Sequence, residues 1–279
     1  MLRLPCFASL VLALGCAAST PAPTPGAASS EDRLLQLVEQ IRSADYAGDR
    51  QALRDLHGQL AAAPTGNAPL ALVRYWKAFA LWRRAVNGFN ETPNAPDREA
   101  DLLAAVAEFE AALQDDPKFV DAQAGLVSCL GMRMFLRGPL DDETRVLLPR
   151  VRALLAEAQT LEPENPRLLW VRGPTEWWTP KGSPAETVDE RQARAIATYL
   201  RGLAGLPASA RSGPEPLRPT WGEPELHMSL AWSYLNRRVP DQAQAELHAR
   251  KALALVPSWH YVRDILLPQI ESARRSAAR

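Results

Sequence analysis

Histidine, cysteine and paired carboxylates are the residue types most able to do metal, nucleophilic or acid–base chemistry, and this chain spaces them for none of these. Its four histidines (57, 227, 248 and 260) form no H-E-x-x-H and pair with no cysteine, so no zinc site is expected. The three cysteines stand at 6, 16 and 129, too few for a disulfide framework. Cys129, close to Val127 and Leu130, reads as a small buried hydrophobe. There is no G-x-S-x-G, no G-x-x-x-x-G-K-[ST] and no dinucleotide fingerprint after a strand. The pairs Asp115-Asp116 and Asp141-Asp142 sit before a proline or at a helix start, where turn and capping roles explain them. No catalytic residue, metal or cofactor is expected, and the chain is not expected to be an enzyme.

Binding chemistry is the other possibility, and tryptophan carries it. Two of the eight tryptophans stand together in "RGPTEWWTPKGS" (172–183), where Pro174, Pro180 and Gly182 disfavour a helix interior. A second long connection, "PASARSGPEPLRPTWGEP" (207–224), carries Trp221. Trp177, Trp178 and Trp221 are expected to reach one neighbourhood over the helix between the two connections. They then form either a satellite core or a partner-binding surface whose polar groups are Glu176, Lys181 and Glu223. "LVRYWKAFALWRRAV" holds a second candidate. Trp76 and Trp82 fall on roughly opposite faces of a helix, so one is expected to pack and the other to look outward. Tyr75, Trp76, Lys77, Arg83 and Arg84 would then line an aromatic, arginine-rich groove, with core filling as the alternative.

Helices must position these residues. "RLLQLVEQIRSA" places Leu34, Leu37, Val38 and Ile41 on one face at i, i+3, i+4, i+7 spacing, and later segments repeat the pattern. No stretch shows sustained two-residue alternation, so the chain reads as all-α. Prolines punctuate it. Counting back from each gives a small residue, a large one and a small one at fixed spacing: Ala105-Phe109-Ala112-Pro117, Val151-Leu155-Ala158-Pro163, Ala195-Tyr199-Gly202-Pro207 and Ala245-Ala249-Ala252-Pro257. Ala52-Leu56-Gln59-Pro64 is a degraded first copy. Small residues allow close helix approach, the large one fills the gap, and proline stops the helix.

This spacing resembles the second helix of the tetratricopeptide repeat (TPR). The resemblance implies a right-handed α-solenoid of about five irregular helix pairs plus a C-terminal capping helix, with Phe109, Leu155 and Tyr199 buried at equivalent positions. The proline intervals are 53, 46, 44 and 50, from Pro64 to Pro257, against about 34 in the standard repeat. Insertions are therefore expected at 88–100, 137–144, 174–186 and 207–224. Leu230-Ala231-x-x-Tyr234 resembles the first-helix core of such a repeat, and Gly173 the close-approach glycine of the preceding unit. In that class the first helices line the concave face, which places the Tyr75–Arg84 groove there. "TPKGS" and "RPTWGEPELHMSLAWSYL" further resemble extracytoplasmic bacterial TPR proteins, through Thr179, Pro180, Gly182, Trp221, Gly222 and Glu223 over roughly residues 100–270. That group implies an address and a scaffold rather than a reaction.

The N-terminal segment agrees with such an address. Arg3 and the short apolar run "LPCFASLVLALG" resemble a secretion signal, and Leu12-Ala13-Leu14-Gly15-Cys16 resembles a lipobox with Cys16 as the lipidated residue. An ordinary cleavage near Cys16-Ala17-Ala18 is the alternative. Residues 1–15 are then a signal peptide, 16–30 a flexible tether, and 31–279 the helical domain. Alanine after Cys16 favours the outer membrane, by resemblance to envelope sorting rules. Lysine plus arginine (32) equals aspartate plus glutamate (32), which favours neither nucleic acid nor an anionic bilayer as partner. The function expected is a lipid-anchored scaffold that binds an envelope protein or peptide, with a small-ligand binder using the tryptophan-rich loops as the alternative.

Overall fold

The structure is a computed structural model, and it describes residues 29–92, 95–178, 186–209 and 215–277. The fold is all-α, with no strand among the described residues. Among the described residues eleven α-helices follow one another: α1 (Ser30–Tyr46), α2 (Arg50–Ala62), α3 (Leu70–Glu91), α4 (Arg98–Asp115), α5 (Val120–Arg137), α6 (Asp142–Leu161), α7 (Pro166–Trp178), α8 (Val188–Ser209), α9 (Glu223–Asn236), α10 (Gln242–Leu255) and α11 (Leu267–Ala277). A six-residue π-helical turn, Tyr261–Leu266, leads into α11. Each helix packs on the next in the chain, as successive hairpins do.

Local chemistry sets the ends. Ser29 and Asp32 form a reciprocal capping box at the start of α1, and Thr187 and Glu190 form another at the start of α8. Asn165 opens α7 by accepting from the backbone of Arg167 and Leu168. Asp116 accepts from the Lys118 amide in the turn after α4, and Asp141 accepts from the Glu143 amide at the start of α6.

The small–large–small pattern has a direct physical counterpart. A Cβ added at Gly125 in α5 would lie 2.2 Å from the Phe109 ring, and one at Gly173 in α7 would lie 2.1 Å from the Tyr199 ring. Each aromatic of a second helix therefore fills the notch left by a glycine of a first helix. Ala105, Ala112, Ala158, Ala195, Ala245, Ala249 and Ala252 are all fully buried, which lets the helix axes approach. Two copies depart from the expected register. Leu155 is only half-buried, because α7 packs sparsely on α6 and leaves that position at an edge. In α2 the large position, Leu56, is buried as expected, but its flanking positions shift by one: Leu53 and Leu60 are buried in place of Ala52 and Gln59, and Gln59 is exposed.

The expected insertions are also redistributed. The α5–α6 connection is only 138–141, since the extra length there lies in longer helices. Helix α7 runs through Pro174 to Trp178, so the first half of "RGPTEWWTPKGS" is helical. The missing proline amide is tolerated because Glu176 and Trp177, beyond it, are anchored to α8 and α9. Residues 179–185 and 210–214 lie outside the described residues.

The chain returns to its beginning. Arg42 and Tyr46 at the end of α1 touch residues 178 and more positions away. The Tyr46 hydroxyl donates to Glu225 at 2.8 Å, Arg42 donates to Thr220, and the Tyr46 ring meets Trp259 edge-on at 5.1 Å. Between these ends, residues 215–222 run across the inner side of α3. No helix among the described residues is long and apolar enough to cross a membrane.

Glycine-to-alanine substitutions test the notches. Alanine is the better helix former by about 1 kcal/mol, so Gly131→Ala, with open space around it, should be neutral or stabilising. Gly125→Ala and Gly173→Ala should instead destabilise by about 1–3 kcal/mol as overpacking, and Phe109→Ala by about 3–5 kcal/mol as a cavity. Denaturant unfolding of the four variants reads the order directly.

Candidate functional site

Apart from Arg74 and Lys77, helix α3 is apolar over about its first three and a half turns, and the structure buries nearly all of it, leaving Leu70 exposed and the two cations half-buried. Tyr75, Trp76, Phe79 and Trp82 are all buried, so neither tryptophan faces solvent. The expectation that one of them would look outward is corrected. The reason is a contact 141 residues away in sequence: the Trp76 indole N–H donates to the Leu217 carbonyl at 2.7 Å. Trp82 donates instead to Ser128 on α5. The groove anticipated from Tyr75, Trp76, Arg83 and Arg84 exists as a set of side chains, but the chain fills it with its own residues 217–222. Lys77 alone of that set is half-exposed.

Trp221 is the centre of this filling. Its ring lies 5.5–5.7 Å from those of Phe79, Trp82 and Trp170, and its indole N–H donates to the Tyr75 hydroxyl at 2.9 Å. Its carbonyl accepts from Arg167 at 3.0 Å, and Asp121 on α5 holds Arg167 in place at 2.6 Å. The next residue, Gly222, has φ +133°, a conformation that glycine reaches freely, and its amide donates to Glu225 at 3.0 Å. Glu223, half-buried, begins α9.

A charged cluster lies beside the aromatic one. Arg83 donates to Asp45 at 2.8 Å, both fully buried, and its guanidinium lies 5.3–5.9 Å from the ring centres of Phe79, Trp82 and Trp170. Asn87 donates to the Asp45 backbone and carboxylate. Burial raises the Asp45 carboxyl above its ordinary value, against the pull of the Arg83 guanidinium, and burial raises Glu225 in the same way. Arg84 is spent elsewhere: it binds Asp101 bidentately, at 2.5 and 2.7 Å, and contacts Asp97. Arg84 and Arg50 each donate Nε to the other's carbonyl, which ties α2 to α3. None of these ion pairs is visible in the sequence, since their partners stand 13 to 38 positions apart.

The two tryptophan-bearing connections do not share a surface through these rings. Trp177 is buried and meets Trp232 on α9 at 5.3 Å, away from the Phe79–Trp82–Trp170 ring set around Trp221. Glu176, also buried, accepts from Arg172 at 2.8 Å and from Thr198. One residue on, Trp178 turns about 100° around the helix and is 68% exposed. Lys181, with Thr179, Pro180 and Gly182, and Cys16 lie outside the described residues.

Two features escaped sequence reasoning. His227 on α9 and His248 on α10 meet through their Nδ1 atoms at 2.9 Å, with Tyr234 stacked on His248 at 5.8 Å. Burial holds His227 down at about 4, and His248 also titrates below its ordinary value. Among the described residues, no three His, Cys, Asp or Glu side chains are grouped to hold a metal. The second feature is apolar. Phe135 (74% exposed), Leu140 (81%) and Val146 (73%) stand at the α5–α6 end of the third hairpin, where Phe89 reaches the Phe135 ring. Arg133 and Arg137 bridge to Glu143 and fix that end.

No family model, curated protein or solved structure matches this chain.

Two outcomes are expected. Arg83→Met, which leaves the Asp45 carboxylate buried and unpaired, should cost about 3–5 kcal/mol in denaturant unfolding. Adding Asp45→Asn should recover much of that loss. The histidine pair gives the second. A pKa held below its unfolded value contributes stability that is complete above about pH 6.5 and is lost as pH falls toward about 4. The raised Asp45 and Glu225 act in the opposite sense, so the test is a difference: thermal stability between pH 6.5 and 4.5 should fall less in His227→Gln than in the wild type.

Proposed function

We propose that this chain is a lipid-anchored scaffold of TPR type, a right-handed solenoid of five hairpins and a cap, that holds a protein partner in the bacterial envelope. Its anchor is Cys16 and its tether the serine- and proline-rich stretch that follows. The notched packing of Phe109 on Gly125 and Tyr199 on Gly173 supports the repeat. The observation that carries the scaffold reading is the apolar end of the third hairpin. Phe135, Leu140 and Val146 are large and exposed on the stretch where α5 turns into α6, and this local run of exposed apolar side chains supports a protein contact there. The aromatic residues first singled out for that role, Tyr75, Trp76, Trp177 and Trp221, are engaged inside the chain, and Arg83 and Glu176 with them. Trp178 alone of the tryptophans first singled out is exposed, and with Trp76, Trp177 and Trp221 packed in separate places the tryptophans form no shared small-ligand pocket among the described residues.

A photo-crosslinking residue placed at Phe135 in cells should capture one envelope protein, and Leu140→Asp should abolish that capture without changing helicity. The same residue at exposed Leu255 serves as control. Equal capture from both positions, or capture insensitive to Leu140→Asp, would contradict the assignment. Separately, Cys16→Ser should move the chain from the membrane to the soluble fraction.

A further inference from the structure

Residues 217–222 are bound the way a ligand is bound. They belong to no helix, and their side chains alternate: Leu217, Pro219 and Trp221 are buried, while Arg218 and Thr220 are exposed. The segment opens with a turn, closed by the Arg218 amide on the Glu215 carbonyl, and from Pro219 onward it is neither helix nor turn; its buried–exposed alternation suits a short peptide laid on a surface. The body grips it at both ends through side chains on its backbone carbonyls, Trp76 on Leu217 and Arg167 on Trp221. Between those grips the indole enters a box of Phe79, Trp82 and Trp170, with the Tyr75 hydroxyl as acceptor. The box draws on α3 and α7, and α1 adds Arg42 on Thr220. Two buried donors around the strap lack a hydrogen-bond partner, and one is the Arg42 Nε. Arg83, packed on the same three rings, has a buried Nη1 without a hydrogen-bond partner. An occupant made for this floor would satisfy that donor, and the strap does not.

We propose that residues 217–222 are a displaceable strap: they fill in cis a groove between α1, α3 and α7 that accepts an extended peptide carrying proline and, two residues on, tryptophan. When such a peptide enters, the strap leaves, and the contacts it supports between α1 and α9 loosen with it. The groove is then an autoinhibited recognition site, separate from the apolar end of the third hairpin. The proposal does not rest on the envelope address, since it concerns the purified chain.

The probe is a synthetic peptide with the sequence of residues 215–223, added to the full chain. With Trp221→Ala, whose strap has lost its anchor, the peptide should bind saturably and raise the melting temperature. The wild type should bind it at least about tenfold more weakly, because its own strap competes. The peptide with alanine in place of tryptophan should bind neither. A folded Trp221→Ala chain that ignores the peptide overturns the proposal, and so does a wild type that binds it equally well. Should Trp221→Ala fail to fold, Trp221→Phe replaces it. Peptide binding no stronger than that of the wild type would then be the contradicting result.

Discussion

The structure depends on one indole. Trp221 sits where α3 and α7 face each other, and its flanking backbone and side chains reach α1, α5 through Arg167, and α9 through Gly222. Fully burying a large aromatic removes about 150–250 Å² from water, a contribution that Trp221 shares with the equally buried Trp76 and Trp82. Without it, the inner side of α3 would expose Trp76, Phe79 and Trp82 together. A helix that is apolar on both faces is stable in water only if something covers the second, and here that cover is a loop.

The same insertion decides the polar interior. Once the strap excludes water, buried carboxylates need partners from far along the chain: Asp45 accepts from Arg83 and Asn87, and Glu225 accepts from the Tyr46 hydroxyl, over 38 to 179 positions of sequence. Buried ion pairs of this sort contribute little net stability, yet each is costly to leave half-made. They therefore act on geometry, tying α1 to α3 and α1 to α9 in one register. The packing of Phe109 and Tyr199 into glycine notches does the equivalent work between neighbouring helices, through shape alone.

How much of this could be read in advance follows from the range of each interaction. The helices, their number and the stops at Pro64, Pro117, Pro163 and Pro257 were legible, because helical periodicity and backbone termination are local; Pro207 was not a stop, since α8 runs past it to Ser209. So were the burial of Tyr199 and the close-approach role of Gly173, since spacing within one helix reports which residues share a face; that these two meet was not, because they lie on different helices. The fate of Trp76 was not, because the period of α3 shows both its faces apolar without saying what covers the second. "RGPTEWWTPKGS" misled for a related reason: Pro174 disfavours a helix by a few kcal/mol, and the anchoring of Glu176 and Trp177 on α8 and α9 outweighs it. Leu155 failed its pattern because burial requires a neighbour as well as a position. The His227–His248 contact had no sequence signal at all, its two members being ordinary residues of adjacent helices.

Closure of the chain onto its first helix is the claim on which the rest stands, and a distance measures it. Spin labels at Ser43 on α1 and Ser258 beside Trp259, both exposed, report the separation of the two ends by pulsed dipolar spectroscopy. The account predicts one short, narrow distribution in the wild type, and a longer, broader one when Trp221 is replaced by alanine while helicity is retained. An unchanged narrow distribution in that variant would contradict it, because the ends would then be held together without the strap.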